Sequence, residues 1–125
     1  MIVDDEIDQL QTLRRGLRTM GYAVVTARST DEALAEISRQ GEAIDVVLSD
    51  YQLPGKNGAV LFWELRSHNN QVPFVFMTGY ADTQPGGRVA WAEGDGFIEK
   101  PCTLEQIIAC LEAAVKRKQE NTARK

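Results

Sequence analysis

The chain has 125 residues, and its 18 acidic and 14 basic side chains give a net charge of −4. Hydrophobic residues at 43% and charged residues at 26% are typical of a single globular domain with a buried core. The acidic balance argues against direct nucleic-acid binding, which needs a basic surface. The sequence shows neither an apolar run of membrane-spanning length nor a signal peptide. Cys102 and Cys110 lack the spacing of a disulfide or metal site, so we expect reduced thiols and a cytoplasmic protein.

Five short runs of apolar, β-favouring residues predict the strands of a sheet. They cover residues 1–3, 23–26, 46–49, 74–78 and 96–99. The third and fourth runs are continuously apolar rather than alternating, which is typical of strands that are buried on both faces of a parallel sheet.

Helical patterns lie between these strands. Apolar residues at positions 10, 13, 17 and 20 form one stripe of a first helix, which we expect to end at Gly21. Ser29 with Glu32, and Thr103 with Gln106, have the spacing of capping boxes and predict the starts of the second helix and the last helix. A third helix is predicted around the apolar positions 61, 62 and 65.

The segment between the fourth and fifth strands predicts a short and poorly specified fourth helix. Gly86 and Gly87 each cost a helix about 1 kcal/mol relative to alanine. Five strands that alternate with five helices nevertheless predict an α/β fold with a doubly wound parallel sheet. We expect one domain over residues 1–118 and a polar, frayed tail or linker over residues 119–125.

Three aspartates stand where predicted strands end. Asp4 and Asp5 follow the first strand and Asp50 follows the third. The carboxyl ends of parallel strands meet at one edge of an open sheet, so neighbouring strands would bring these carboxylates together. Two like charges about 4 Å apart repel by about 4 kcal/mol at an effective dielectric constant near 20. Such a cluster takes up protons, spreads apart or binds a cation, and oxygen ligands with room for water favour Mg²⁺.

The three acids alone leave a second interpretation open, in which Asp4 and Asp5 are solvated acids at the start of a helix. Two further strand ends favour the binding site. Thr78 ends the fourth strand and Lys100 follows the fifth, and a hydroxyl and an ammonium beside a metal-bound acid can hold a phosphoryl group. Lys100 precedes Pro101, and a cis bond there would direct the lysine inward.

These motifs together resemble the receiver domain of response regulators in two-component signalling. The resemblance runs from IVDDE through TARSTDEAL, SDYQLPGKNG and FMTGYAD to GFIEKP, and so covers essentially the whole chain. It implies a flavodoxin-like (βα)5 fold with the strand order 2-1-3-4-5. Members of this family catalyse their own phosphorylation and dephosphorylation but turn over no separate substrate.

The resemblance also implies a role for each matching acid. Asp50 would accept a phosphoryl group from a phosphohistidine of a sensor histidine kinase or a histidine phosphotransfer protein. Asp5, Asp50 and the backbone carbonyl of Gln52 would bind Mg²⁺ directly, and Asp4 would act through water.

For the remaining positions, the resemblance implies a switch. Thr78 and Lys100 would hold the phosphoryl oxygens, and Phe97 would be the aromatic residue that turns when Thr78 moves. The face made by the fourth helix, fifth strand and fifth helix would then repack and engage an output protein, an additional C-terminal domain, or a second copy in a phosphorylation-dependent dimer.

Three other classes of protein fit less well. A phosphatase of the haloacid dehalogenase type needs an aspartate two residues after the nucleophile, where this chain has Gln52. A flavodoxin needs a phosphate loop after the first strand, where the acidic DDEIDQ would repel phosphate. A pseudo-receiver that only scaffolds its partners is the strongest alternative, although such proteins usually lack one of the acids or the lysine.

Overall fold

The computed structural model describes residues 1–53, 58–79 and 95–123. Its five parallel strands form one sheet in the order β2-β1-β3-β4-β5, as predicted. The strands are β1 (Ile2–Val3), β2 (Thr26–Ala27), β3 (Val47–Asp50), β4 (Phe74–Thr78) and β5 (Gly96–Glu99). The described α-helices are α1 (Ile7–Thr19), α2 (Thr30–Gln40), α3 (Gly58–Ser67) and α4 (Leu104–Ala123), and Gly41–Ala43 form a 3-10 helix. The fourth helix was predicted between β4 and β5, where residues 80–94 lie outside the described ranges.

The strand bounds agree with the sequence for β4 and β5 and shift for the others. The largest shift is in β2, which was predicted at residues 23–26 and lies at Thr26–Ala27. This edge strand pairs with β1 through Ile2 opposite Thr26 and Val3 opposite Ala27. Only backbone that faces the short β1 can join the ladder, so the partner strand, rather than the apolar run, sets the bounds of β2.

The capping interactions predicted at two helix starts are present, as a reciprocal box at Thr103 and as a cap by the Ser29 hydroxyl. Thr103 and Gln106 exchange reciprocal side-chain to backbone hydrogen bonds of 2.8 and 3.1 Å at the start of α4. The hydroxyl of Ser29 accepts from the amide of Glu32 at 3.2 Å at the start of α2. Gly21, where the first helix was predicted to end, has a φ of +96°, a left-handed conformation that favours glycine.

The core lies on both faces of the sheet, because alternate residues of each strand point to opposite sides. On one face, Phe74 and Phe76 of β4 pack with buried residues of α2 and α3. On the other, Val75 and Met77 pack with Ile107 and other buried residues of α4. The helices therefore cover both faces, which explains the continuously apolar run in β4.

The last helix differs from the prediction, because α4 continues to Ala123 where a frayed tail was expected from residue 119. Lys116, Arg117 and Lys118 consequently lie within the helix and not at its end. Gln119 and Glu120 are strong helix formers, so the helix extends through polar sequence that buries no apolar stripe. None of the helices in the described part of the chain has the length and apolar character needed to cross a membrane.

Candidate functional site

The candidate site is built around Asp50, the last residue of β3. Its side chain is almost entirely buried, with 6% of the residue exposed. The amide of the following residue, Tyr51, donates to the carbonyl of Met77 at 2.8 Å, so the chain stays attached to β4 immediately after the acid. The amide of Gln52 then donates to Asp50 Oδ1 at 3.2 Å. Asp50 is thus held from both sides at the carboxyl edge of the sheet.

Gly58, the first residue of α3, brings its backbone unusually close to Asp50. Its amide donates to the carbonyl of Tyr51 at 2.9 Å. A Cβ atom at this position would lie 2.6 Å from the carbonyl oxygen of Asp50, which no side chain tolerates. Glycine is therefore required for α3 to start beside the acid. No role for Gly58 was predicted from the sequence, although this glycine closes the segment SDYQLPGKNG.

Asp4 and Asp5 reach Asp50 because β1 and β3 are neighbours. Val3 pairs with Ser49, which places the residues after them side by side. Each of the three aspartates offers a carboxylate oxygen, and these oxygens lie within 4.8 Å of one another. The predicted convergence of the three acids is present in the structure, and this acid cluster could hold a metal ion.

Asp4 is the fully buried member of the acid cluster, whereas Asp5 is exposed. Its Oδ1 accepts from the amide of Glu6 at 2.9 Å, and its buried Oδ2 has no hydrogen-bond partner among the described residues. Burial raises the pKa of Asp4, the charges of Asp50 and Asp5 raise it further, and the Glu6 amide and Lys100 oppose that shift. A buried carboxylate oxygen without a hydrogen-bond partner costs free energy, which a bound cation would offset.

Residues at the start of α1 also bear on the alternative interpretation of solvated acids. The residue that caps α1 is Glu6, and its side chain makes no capping hydrogen bond. Asp4 Oδ1 accepts from the amide of Glu6 itself, and Asp4 is buried. Asp4 is therefore neither solvated nor a side-chain cap of α1.

Lys100 provides a cation in direct contact with Asp50. Its Nζ donates to Asp50 Oδ2 at 3.0 Å, and 26% of the lysine side chain is exposed. Burial lowers the pKa of Lys100, but the hydrogen bond to Asp50 and the charges of Asp50, Asp4 and Glu6 outweigh it, and the pKa lies above its ordinary value. The Lys100–Pro101 peptide bond is cis. Among the described residues, one ammonium thus shares a site with three carboxylates.

Thr78 and Phe97 lie on the two strands at the open side of the site. Thr78 is fully buried, and its hydroxyl donates to the carbonyl of Ile98 at 3.4 Å, a long and therefore weak hydrogen bond. Its carbonyl accepts from the amide of Lys100 at 2.7 Å, which joins the two strand ends. Phe97 is 55% exposed, so its ring lies outside the core.

A groove of about 640 Å³, which sequence reasoning did not predict, opens beside Lys100. Its walls come from α1, with Thr12 and Leu13, and from the chain that leads into α4, with Pro101 and Cys102. The lining is mostly apolar. No pattern along the chain points to this groove, because its walls come from segments that are distant in sequence.

The fold and the site define a doubly wound α/β protein with a cluster of three aspartates, suited to binding a cation, at the carboxyl edge of its sheet. A family model described as the response regulator receiver domain matches residues 1–112. The chain belongs to this family of two-component response regulator domains.

Individual relatives agree with that assignment. The transcriptional regulatory protein PrrA of Mycobacterium tuberculosis is 32% identical over 120 residues, which cover 94% of this chain and 50% of PrrA. The sensor kinase CckA of Brucella abortus is 33% identical over 107 residues, which cover 86% of this chain and 11% of CckA. A crystal structure of a response regulator receiver domain protein from Clostridium thermocellum has a TM-score of 0.86 at 27% identity, with 94% of each chain covered. The chain spans half or less of the length of these two curated relatives.

Proposed function

We propose that this receiver domain accepts a phosphoryl group on Asp50 in the presence of Mg²⁺. The observation that carries the proposal is the contact of 3.0 Å between Lys100 Nζ and Asp50 Oδ2, beside carboxylate oxygens of Asp4 and Asp5. A nucleophilic carboxylate that is paired with a cation and surrounded by further acids is suited to phosphoryl transfer assisted by a divalent ion.

The chemistry requires one bond to form and one to break. A carboxylate oxygen of Asp50 attacks the phosphorus atom of the donor, and the bond from phosphorus to the donor imidazole nitrogen breaks with its electron pair left on nitrogen. The product is an aspartyl phosphate. Lys100 neutralises charge on the transferred oxygens, and Thr78 donates its hydroxyl hydrogen bond to them.

We assign Mg²⁺ binding to Asp5, Asp50 and the backbone carbonyl of Gln52, with Asp4 acting through water. The donor set consists of oxygen atoms, as this ion prefers. Support for the fit also comes from Asp4 Oδ2, a buried acceptor without a hydrogen-bond partner among the described residues. When bound, the ion supplies positive charge that lowers the repulsion between Asp50 and the incoming phosphoryl group.

The proposed switch starts at Thr78. Its hydrogen bond to the Ile98 carbonyl is long, at 3.4 Å, so little is lost when the hydroxyl turns toward phosphoryl oxygens instead. The exposed ring of Phe97 on the adjacent strand then turns inward, and the surface around β5 and α4 repacks. Residues 80–94, between the two strands, lie outside the described part of the chain.

The donor is a phosphohistidine on a sensor histidine kinase or a histidine phosphotransfer protein in the cytoplasm. The apolar groove beside Lys100 supports this choice, because a donor protein must place its phosphohistidine next to Asp50. The output is an associated protein, an additional domain of a longer chain, or a phosphorylation-dependent dimer. The net charge of −4 gives no support to direct nucleic-acid contact by this domain.

Intact-mass analysis with acetyl phosphate tests the proposal. With Mg²⁺ present, we expect one phosphoryl group per chain in the wild type and in Asp45→Asn, a control at an exposed acid away from the acid cluster. Asp50→Ala, or removal of Mg²⁺ with a chelator, should leave the chain unmodified. A wild type that never gains the phosphoryl group, yet binds a kinase equally with and without Mg²⁺, would be a scaffold and would overturn the proposal.

A further inference from the structure

A second charged cluster lies at the opposite, amino edge of the sheet. Asp95 directly precedes β5, and its Oδ2 accepts from the backbone amide of Phe74 at 2.8 Å and from Arg66 Nη2 at 3.1 Å. Its Oδ1 lies 3.5 Å from Lys118 Nζ on α4. We call Asp95, Arg66, Lys118 and the Phe74 amide the Asp95 cluster. It joins α3, β4, β5 and α4 through one carboxylate.

Arg66 is itself held firmly, so it gives Asp95 a fixed partner. Its Nη1 donates to the carbonyls of Asn70 and Val72 at 2.9 and 3.1 Å, and its guanidinium lies 4.6 Å from the centre of the Phe62 ring. The side chains of Arg66 and Asp95 are only 15% and 16% exposed. An ion pair this sheltered is screened little by solvent and has defined geometry.

The Asp95 cluster fixes one end of β5, and Lys100 stands at the other. The amide of Asp95 donates to the carbonyl of Phe74 at 2.9 Å, and the amide of Lys100 donates to the carbonyl of Thr78 at 2.7 Å. Between them, the four residues of β5 pair only with β4 among the described strands. A short edge strand depends on its ends for register, because a slip of one residue turns every side chain to the other face.

We propose that Asp95 is a positioning residue for the phosphorylation site, which acts through β5 to keep Lys100 in contact with Asp50. The inference rests on the proposed function of Asp50 and extends it to the far edge of the sheet. Lys118 makes the position of β5 depend also on α4, at a residue beyond the range 1–112 that the family model matches. The acids proposed to bind the metal lie directly after β1 and at the end of β3, so Asp95 does not position them.

Because Lys100 and the acids proposed to bind Mg²⁺ lie at the ends of different strands, a change at Asp95 should affect the phosphorylation rate but not the affinity for Mg²⁺. In Asp95→Asn the carbonyl oxygen can still accept from Phe74, but the charge that holds Arg66 and Lys118 is lost. We expect phosphorylation by saturating acetyl phosphate to slow roughly tenfold, as small displacements of a group at a reacting centre do. The affinity for Mg²⁺, measured by calorimetry without phosphodonor, should stay within about twofold. Hydrogen exchange at the amides of Phe74 and Lys100 should become faster.

Matched variants separate positioning from a general loss of structure. Glu99→Gln changes an exposed acid of β5 that is nearer to Lys100 than Asp95 is, and should keep the wild-type rate. Lys118→Met should slow phosphorylation by a smaller factor than Asp95→Asn, and Lys116→Met, at an exposed position of α4, should not. If Asp95 variants fold poorly, the comparison of Lys118→Met with Lys116→Met still tests the proposal.

Each outcome decides the inference. A wild type that accepts phosphate while Asp95→Asn does so at the same rate overturns it. A parallel loss of Mg²⁺ affinity overturns it as well, because the defect would then extend beyond β5. A wild type that never accepts phosphate contradicts the proposed function instead, and the exchange rate of the Lys100 amide then decides whether Asp95 positions β5.

Discussion

Two carboxylates at opposite edges of the same sheet, the buried Asp4 and the partly buried Asp95, have opposite electrostatic surroundings. Asp95 at the amino edge is shared by Arg66, Lys118 and a backbone amide. Asp4 at the carboxyl edge faces Asp50 and Asp5, and its Oδ2 has no partner among the described residues. At the amino edge, both carboxylate oxygens of Asp95 therefore have partners. At the carboxyl edge, the described residues do not balance the negative charge of the three aspartates.

The difference separates an acid that holds the fold together from acids that bind a ligand. A carboxylate with cations on both sides stabilises the elements it joins, and its loss leaves partly buried charges without that partner. Carboxylates that crowd together repel and destabilise the fold until a cation arrives. The comparison predicts that neutralising an acid lowers stability at the amino edge and raises it at the carboxyl edge.

The largest expected effect is on the chemistry at the carboxyl edge. Lys100→Met removes the ammonium that contacts Asp50 Oδ2, and we expect phosphorylation by acetyl phosphate to slow by about 10²-fold, as when one donor to a developing negative charge is removed. The measurement is the time course of phosphoryl incorporation by intact mass. Lys116→Met is the control, and a Lys100→Met rate equal to that of the control would contradict the role of Lys100.

The second effect is on stability at the amino edge. Asp95→Ala leaves Arg66 without its carboxylate and the Phe74 amide without its acceptor, and we expect the free energy of unfolding to fall by about 2–3 kcal/mol. Urea denaturation measures this change, and Glu99→Ala on the same strand should cost much less. A loss of under about 0.5 kcal/mol, which is usual for surface substitutions, would mean that the Asp95 cluster is merely a surface ion pair.

The third effect has the opposite sign. Asp4→Asn keeps an oxygen that can accept from the Glu6 amide but removes a buried charge beside Asp50 and Asp5. Without metal, we expect the free energy of unfolding to rise by about 1 kcal/mol, and Mg²⁺ should stabilise the variant less than the wild type. Asp45→Asn, at an exposed acid outside the acid cluster, should give no such gain. A less stable Asp4→Asn would refute the contrast between the two edges.

The smallest effect is the pH dependence of the metal-free protein. The pKa of Asp4 is raised in the folded state, chiefly by burial, so the folded chain binds a proton at a higher pH than the unfolded chain does. Stability should therefore rise as the pH falls from the raised pKa of folded Asp4 toward the ordinary aspartate value, and level off below it. Thermal midpoints of the apo protein should follow this trend between neutral and mildly acidic pH, and Asp4→Asn should flatten it. Midpoints of the wild type that stay level or fall in this range would contradict the prediction.

How far the fold could be predicted depends on how locally each element is specified. The start of α4 follows from Thr103 and Gln106, whose hydrogen bonds involve residues three apart. The bounds of β2 could not be predicted from its own residues, because they depend on which backbone faces β1. Likewise, the extent of α4 past residue 118 was missed because polar helix formers carry no apolar periodicity.

For the candidate site, the sequence predicted which residue types end the strands, and the resemblance supplied their roles. Lys100 and Asp50 are 50 residues apart, and they come into contact only because the folded sheet brings the ends of their strands to the same edge. Asp95 and Gly58 were missed for a common reason. Each acts through a partner far along the chain or through a close backbone approach, and neither leaves a periodic pattern.

The sequence by itself determined the alternation of strands and helices and placed an acid or a lysine after particular strands, because propensity, capping and apolar periodicity act over a few residues. Only the tertiary structure decided which charges meet. Within the described part of the chain, packing puts three aspartates and one lysine at one edge of the sheet, and two cations around one aspartate at the other. The physical reason is that Coulomb energy depends on distance in space and on burial, which the order of residues does not contain.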